Sequence, residues 1–357
     1  MEERVALVVT TIAEPNPTLR QLAQGCTEND YEFIVIGDEA SPETFQLEGC
    51  RFYSLEEQRT TGLKFTELCP TRHYARKNIG YLLAMRGGAK VITETDDDNI
   101  PNELFWNRRS RKQSARALTD GGFVNAYRYF SDQKIWPRGL PLEHVNDSLP
   151  DFDDLPTENV DCPIQQGLAD SDPDVDAIYR LTQPWPLNFW NDRRVALKRG
   201  SWCPFNSQNT TWWKDTFPLL YLPAYCSFRL TDIWRSFVAQ RIAWTNEWSL
   251  LFTGPTVLQE RNQHDLMRDL RDELPGYLNN KKICETLANL QLPAGPENIV
   301  QNLRACYQEL VAIGVHDPRE LELLEAWIAD ITEYPLMPHG GHKPFRDQRV
   351  INEAFQT

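Results

Sequence analysis

The chain has 357 residues, 41% of them hydrophobic and 25% charged, which is ordinary for a globular protein of one or two domains. Its net charge of −14 disfavours a general nucleic-acid binder, because phosphate contacts need clustered Lys and Arg. No apolar run is long enough for a signal-peptide core or a membrane span, so we expect a cytoplasmic protein without an integral membrane segment.

The eight cysteines are scattered along the chain, and no CxxC pair occurs. A zinc ribbon is therefore not expected. Reduced and mostly buried thiols fit this pattern better.

The N-terminal part alternates short apolar runs with amphipathic segments. Strands are predicted at 5–11, 31–36, 52–55 and 89–93, and helices at 19–25 and 72–85. Strands alternating with helices predict an α/β fold with a parallel or mixed sheet.

The composition changes after a further predicted strand at 122–127. No Lys or Arg occurs between Arg138 and Arg180, whereas Asp, Glu and Pro accumulate. The stretch 140–175 is therefore predicted to be a long acidic surface loop, either a solvated insertion or, less favoured, a binding loop. Strand character resumes at 176–181.

Eight of the eleven tryptophans lie between Trp185 and Trp248. Large rings fill cores, and they can also stack on sugar faces in an acceptor cleft. An amphipathic helix is predicted at 232–248, and further helical segments follow at 283–292, 299–313 and 318–331. We therefore predict two parts, a domain at 1–260 and a mainly helical region at 261–357.

Three consecutive carboxylates, Asp96, Asp97 and Asp98, follow the strand predicted at 89–93. The three acids therefore lie at the carboxyl end of that strand, and open α/β sheets bind ligands at the edge where their strands have these ends. In an extended chain Asp96 and Asp98 would face one ligand and Asp97 the other side. A Mg²⁺ or Mn²⁺ ion would reduce the repulsion between the carboxylates and favour a bound diphosphate. A solvated acidic turn that caps the next helix is the alternative.

Basic residues lie just upstream of these acids. Arg72 and Arg76 share one helical face, and Lys77 adjoins them. They could bind a diphosphate, hold the carboxylates, or form an exposed basic face. Asp38 ends the strand at 31–36, where an acid often contacts a ribose or a base edge, although a turn-forming Asp is the simpler interpretation.

The stretch 75–99, ARKNIGYLLAMRGGAKVITETDDDN, resembles metal-dependent glycosyltransferases of the GT-A fold, which carry a DxD-type motif after such a strand. Together with CSFRLTDIWRSFVAQRI at 226–242, it resembles the STELLO glycosyltransferase-like family most closely. A looser likeness links DDD, VDAIYRL and the Asp-Ile-Trp segment to the plant UDP-arabinopyranose mutases. The resemblance covers roughly 5–265 and implies a mixed sheet flanked by helices.

The resemblance also implies roles for residues at matching positions. Asp96, Asp98 and a late histidine, His264, would hold Mn²⁺ or Mg²⁺. Asp232, at the start of the later helix, would act as the general base, although it could instead be a helix N-cap. The implied donor-site residues are Thr10, Asp38, Arg72, Arg76, Lys77, Asn78, Asp96 and Asp97.

The function implied is transfer of a sugar from a nucleotide-diphosphate sugar, with UDP favoured, to a glycan, lipid-linked or protein acceptor, with inversion favoured over retention. Two alternatives stay open, namely a UDP-sugar mutase and a non-catalytic scaffold that retains the fold. Ala243 stands where the QxxRW signature of processive synthases has Arg, so a processive synthase is disfavoured. The C-terminal helical region could form a surface for a homo-oligomer or for another partner.

Overall fold

The computed structural model describes residues 3–184, 186–260 and 265–333. Within these ranges, eleven strands form one mixed sheet with helices packed against it, and two short strands form a separate pair. The predicted α/β class, a mixed sheet flanked by helices, is confirmed.

The strands are β1 (Val5–Thr10), β2 (Tyr31–Ile36), β3 (Arg51–Tyr53), β4 (Val91–Thr95), β5 (Asn99–Pro101), β6 (Lys112–Leu118), β7 (Gly122–Phe123), β8 (Thr157–Asp161), β9 (Ile164–Ser171), β10 (Arg194–Leu197), β11 (Ser201–Trp202), β12 (Asn209–Trp213) and β13 (Leu250–Gln259). The order in the large sheet is β3-β2-β1-β4-β12-β9-β13-β10-β6-β8, and β5 pairs with β13.

The α-helices are α1 (Pro17–Asn29), α2 (Leu55–Arg59), α3 (Lys64–Leu68), α4 (Lys77–Arg86), α5 (Ala177–Thr182), α6 (Thr231–Ala243), α7 (Leu266–Asn289), α8 (Ile299–Ala312) and α9 (Arg319–Glu333).

The first half of the sheet is parallel. Strand β1 pairs with β2 and with β4, and Val5 lies beside both Tyr31 and Val91. Ala6–Val9 of β1 and Phe33–Ile36 of β2 are apolar on both faces, because an apolar cluster lies on each side of the sheet here. The carboxyl ends of the three strands meet at one edge, which brings the chain after Thr10, Ile36 and Thr95 together.

The predicted acidic surface loop at 140–175 is wrong in its second half. Strand β9 lies inside the sheet, between β12 and β13. Its polar Gln165 and Gln166 are buried, and their side-chain amides bond to backbone carbonyls. Buried polar side chains with such partners are tolerated in a central strand, so composition alone was a poor guide.

Two other predicted strands differ in the structure. The strand predicted at 176–181 is instead helix α5, which the Asp176 side chain caps by accepting from the Tyr179 amide at 2.7 Å. The strand predicted at 122–127 is the two-residue β7, followed by a 3-10 turn at Ala126–Tyr129.

The C-terminal helices α7, α8 and α9 join the same apolar core as the sheet, through residues such as Ile283, Leu303 and Trp327. Two carboxylates also attach α9 to the rest. Glu320 accepts from the amides of Ala224 and Tyr225, and Asp330 accepts from the amides that open α3. The predicted division at residue 260 stays a prediction.

All eight cysteines are free thiols, and six of them are buried, as the sequence predicts. In the part of the chain that the structure describes, none of the helices combines the length and the apolar character needed to cross a bilayer.

Candidate active site

A cavity of about 440 Å³ opens at the carboxyl edge of β1, β2 and β4. One end of its wall holds the acid cluster together with Thr10, Asp38 and Arg72, and we call it the acid-turn end. Another part of the wall holds Arg138, Asp174, Ser207 and Asp232, and we call it the Asp232 end. Residues from distant parts of the chain therefore line one space.

The three acids form a turn rather than an extended strand, so the alternation expected for them is wrong. The Asn99 amide donates to the Asp96 carbonyl at 3.3 Å, which closes the turn. All three side chains line the cavity. Asp97 accepts from the Thr11 hydroxyl, and burial raises the pKa of its carboxyl. Asp98 accepts from Gln259 at 3.1 Å.

Lys77 lies behind the acid turn and is fully buried. Its ammonium donates to the Asp96 carboxylate at 2.9 Å, to the Thr95 carbonyl at 2.7 Å and to the Tyr74 hydroxyl at 2.7 Å. A buried ammonium needs such oxygens around it. Lys77 therefore neutralises Asp96 from behind.

Asp38 lines the cavity and fixes the backbone of the next segment. Its two carboxylate oxygens accept from the amides of Arg72 at 2.9 Å and His73 at 3.0 Å. Arg72 has a left-handed backbone with φ of 54°, which costs energy for a side chain of this kind. The two bonds stabilise that turn, which carries Arg72, His73 and Tyr74 to the cavity wall.

Two predicted donor-site residues have their polar groups turned elsewhere. The Arg76 guanidinium bonds to Gln58 and to the Cys69 carbonyl, although the residue borders the cavity. The Asn78 side chain exchanges two hydrogen bonds with the Leu222 backbone, at 2.8 and 2.9 Å, and lies outside the cavity wall. Both side chains hold neighbouring segments together.

At the Asp232 end, one guanidinium contacts two carboxylates. Arg138 bonds to Asp174 at 2.7 and 2.8 Å and to Asp232 at 3.0 to 3.1 Å. Asp232 also accepts from the Ser207 amide at 3.2 Å and from the amide of Ile233, in the first turn of α6. All three charged side chains are at least nine-tenths buried.

Two hydroxyl groups join the ends of the cavity. Tyr74 donates to Asp96 at 2.6 Å, and its oxygen lies 2.7 Å from the Ser207 hydroxyl, which lies 3.3 Å from Asp232. Burial and the nearby Asp96 carboxylate hold the pKa of Tyr74 well above its ordinary value, so the phenol stays protonated. The positions of the two acids are thus linked through side chains.

A second link is a fully buried ion pair. Glu94 of β4 and Arg235 of α6 form it through two bonds, of 2.8 and 3.0 Å. Glu94 precedes the acid turn by two residues, and Arg235 lies one helical turn after Asp232. The pair therefore fixes α6 against β4.

Sequence reasoning missed Tyr74, Arg138, Asp174 and Ser207. Arg138 and Arg180 flank the stretch without basic residues, and each pairs with an acid inside it, Asp174 and Asp172 respectively. The arginines at both ends of this acidic stretch were the available sequence signal, because acids that can pair with a flanking Arg can be buried. Ser207 and Tyr74 carry no signal in one sequence.

The cavity offers some of the ligands that a divalent cation such as Mg²⁺ needs. Within the described ranges, His, Cys, Asp and Glu side chains do not assemble in threes that could hold a metal ion. Asp96 and Asp98 nevertheless both line one cavity. Mg²⁺ is commonly held by one or two carboxylates together with substrate phosphates, so the residues present fit a cation shared with a diphosphate. His264 lies outside the described residues.

Comparison with known proteins supports one relationship. Residues 229–338 match the family model of the STELLO glycosyltransferases. The chain is 28% identical to the probable glycosyltransferase STELLO1 and 27% identical to STELLO2 of Arabidopsis thaliana, over 89% of its length. The resemblance to the STELLO glycosyltransferases is confirmed. The family match includes α7 to α9, which the sequence resemblance did not cover.

The chain spans about half the length of these relatives, 45% of STELLO1 and 46% of STELLO2. Among solved structures, glucosyl-3-phosphoglycerate synthase of Mycobacterium tuberculosis aligns with a TM-score of 0.40 and 11% identity, over 78% of this chain and 81% of that one. The same synthase in complex with Mn²⁺, UDP-glucose and phosphoglyceric acid aligns with a TM-score of 0.41 and 11% identity, over 78% of this chain and 80% of that chain.

Proposed function

We propose that the protein transfers a sugar from a nucleotide-diphosphate sugar, with UDP as the favoured nucleotide, to an acceptor hydroxyl. The observation that carries the proposal is that the acid turn and Asp232 line one cavity and are joined through Tyr74 and Ser207. Diphosphate binding and proton removal require different groups on either side of a reacting carbon. The relationship to the STELLO glycosyltransferases supports this chemistry.

In this proposal the nucleotide lies against Thr10, Asp38 and Arg72, and its diphosphate lies over the acid turn. Asp96 and Asp98 would hold Mn²⁺ or Mg²⁺ there. The cation would supply positive charge to the departing diphosphate.

Asp232 would accept the acceptor proton while the acceptor oxygen bonds to the anomeric carbon. The bond from that carbon to the phosphate oxygen breaks, and its electron pair leaves with the diphosphate. Attack from the side opposite to the diphosphate inverts the anomeric centre. Inversion is therefore the outcome we favour.

The first test measures nucleoside-diphosphate release from a panel of nucleotide sugars, with manganese or with a chelator. We expect release from one donor that needs the metal and is lost in Asp98→Asn. Asp192→Asn is the matched control, because Asp192 is exposed and lies outside the cavity wall, and it should keep parental release.

Two other results would redirect the proposal. Metal-dependent donor binding with a ring-isomerised sugar nucleotide as product would identify a mutase instead. Absence of both donor binding and release, for every nucleotide sugar tested, would contradict the donor site and leave the scaffold. The cytoplasmic location and any homo-oligomer stay predictions of the sequence.

A further inference from the structure

The arrangement around Arg138 is unusual because one buried guanidinium is divided between two carboxylates. Its Nε and one terminal nitrogen face Asp174 at 2.7 and 2.8 Å. Its terminal nitrogens also reach Asp232 at 3.0 to 3.1 Å. The contacts to Asp174 are the shorter set, and they use the planar edge that suits two-point pairing with a carboxylate.

Two other arginines near Asp232 in the described part of the chain are paired with other acids. Arg235 bonds to Glu94, and Arg229 bonds to Glu273. The titratable neutral groups near Asp232 are Tyr74, Tyr127 and Cys226, and burial raises the pKa of each well above its ordinary value. Among the described residues, Arg138 is therefore the cation in hydrogen-bond contact with Asp232 at working pH, and Asp174 competes for it.

Competition for one cation affects how readily Asp232 accepts a proton. A carboxylate that is the sole partner of a guanidinium is a weak base, because its protonation removes the attraction between the two charges. A carboxylate that shares the guanidinium with a second carboxylate loses less of this attraction when it is protonated, and is therefore a stronger base. Electrostatic attraction is strong in a wall from which water is mostly excluded, so this difference is large enough to alter rate.

We propose that Asp174 is a positioning residue, which acts through Arg138 to keep Asp232 basic enough to deprotonate the acceptor. Asp174 also fixes the position of Arg138, because the Asn206 amide holds the same Asp174 carboxylate at 3.0 Å. The inference rests on the proposed function in assigning the proton to an acceptor hydroxyl. The sharing of Arg138 does not depend on that assignment.

A measurement without ligand tests the sharing. Urea unfolding is followed for Asp174→Asn, for Asp232→Asn and for the variant with both changes. If Arg138 is shared, each single variant leaves it one carboxylate, whereas the double variant leaves it buried with neither. We expect the fall in the urea midpoint of the double variant to exceed the sum of the two single changes at least twofold. Additive changes would overturn the sharing.

Kinetics with the donor found in the release assay test the positioning role. In Asp174→Asn, Arg138 turns wholly to Asp232, so we expect kcat to fall about tenfold at neutral pH while KM for the donor stays within twofold. The acid limb of the kcat/KM profile should move to lower pH, because the base is weaker. Asp174→Glu should recover part of kcat.

Asp172→Asn is the matched control, because Asp172 also pairs with a largely buried arginine, Arg180, and lies outside the cavity wall. It should leave the acid limb where the parent has it. An Asp174→Asn profile identical to that of Asp172→Asn would overturn the positioning role. Failure to find any donor would contradict the proposed function, whereas the unfolding test would still decide the sharing of Arg138.

Discussion

The two ends of the cavity are built in different ways. At the acid-turn end, Asp96 is paired with a lysine only nineteen residues earlier in the chain, and the Asp38 carboxylate fixes the nearby turn. At the Asp232 end, Arg138 is shared between Asp174 and Asp232, which lie 36 and 94 residues away from it. The charge partner of Asp96 therefore lies close to it in the chain, whereas the charged cluster of the Asp232 end is assembled from distant segments.

The difference shows where charge is most costly. The Asp96 side chain is 29% exposed, so water contributes to its solvation, whereas Asp174 and Asp232 are each only 10% exposed. Losing a partner should therefore cost more at the Asp232 end. The predictions below test this ordering, beginning with the link that joins the two ends.

The largest effect is expected from the buried link between β4 and α6. Glu94→Gln leaves the Arg235 guanidinium buried without a charged partner, and we expect a loss of about 3–5 kcal/mol in the free energy of unfolding. Urea unfolding at pH 7 measures this loss. Because apolar groups tolerate the same burial, the double variant Glu94→Gln/Arg235→Met should lose less than Glu94→Gln alone.

Glu103→Gln, at an exposed position, is the control and should stay within about 0.5 kcal/mol of the parent. A Glu94→Gln variant as stable as this control would show that β4 and α6 are held together by packing alone. The linkage between the ends of the cavity would then have to come from Tyr74 and Ser207.

The next effect is expected where one cation serves two acids. Arg138→Met leaves Asp174 and Asp232 to repel each other in a buried wall, and we expect a loss of about 3 kcal/mol. Lys77→Met removes the partner of the more exposed Asp96, and it should cost less. Denaturant unfolding of both variants compares the two ends directly, and an equal or reversed order would contradict the difference drawn between them.

The same difference explains what the sequence could reveal. β1, β2, β4 and the place of the three acids after β4 follow from the sequence pattern, although the turn that the acids form does not. Asp38, Arg72 and the three acids line the cavity. These residues are brought together by one βαβ-type arrangement, which local patterns predict well.

The Asp232 end could not be predicted in this way. Arg138 and Asp174 meet only because β9 enters the middle of the sheet, and this strand is rich in polar residues. Its glutamines are satisfied by backbone carbonyls and by neighbouring strands, a pairing that depends on tertiary structure. Asp232 itself was found only through the resemblance, because an acid in the first turn of a helix is usually just a cap.

A smaller effect is expected from Glu320, the buried carboxylate of α9. Glu320 accepts from the amides of Ala224 and Tyr225, and burial raises the pKa of its carboxyl from 4.5 to about 6. Because the folded protein holds this proton more tightly than the unfolded chain, the contribution to stability is complete below pH 4.5. It is lost as the pH rises through 6, by about 2 kcal/mol in all.

Glu320→Gln cannot titrate, so the difference in unfolding free energy between parent and variant should change by that amount between pH 4.5 and 7. The parent is compared with the variant at each pH because both contain His316, which packs against Trp234 and Tyr307. The contribution of His316 to stability changes with pH in the opposite direction. Burial lowers the pKa of His316 to about 3, so its contribution is complete above pH 6.5 and is lost as the pH falls. A pH-independent difference would contradict the role given to Glu320.

The smallest effect is expected at the acid-turn end, where Arg72 has a left-handed backbone and a side chain that is 82% exposed. Glycine adopts this conformation without strain, while the exposed pair between Arg72 and Glu39 contributes little. Arg72→Gly should therefore change the free energy of unfolding by less than about 1 kcal/mol, and in the stabilising direction. Arg20→Gly, at an exposed position inside α1, is the matched control and should be destabilising, because glycine is unfavourable within a helix. If Arg72→Gly were instead as costly as Arg138→Met, the turn held by Asp38 would depend on the Arg72 side chain, and the acid-turn end would be no more locally determined than the Asp232 end.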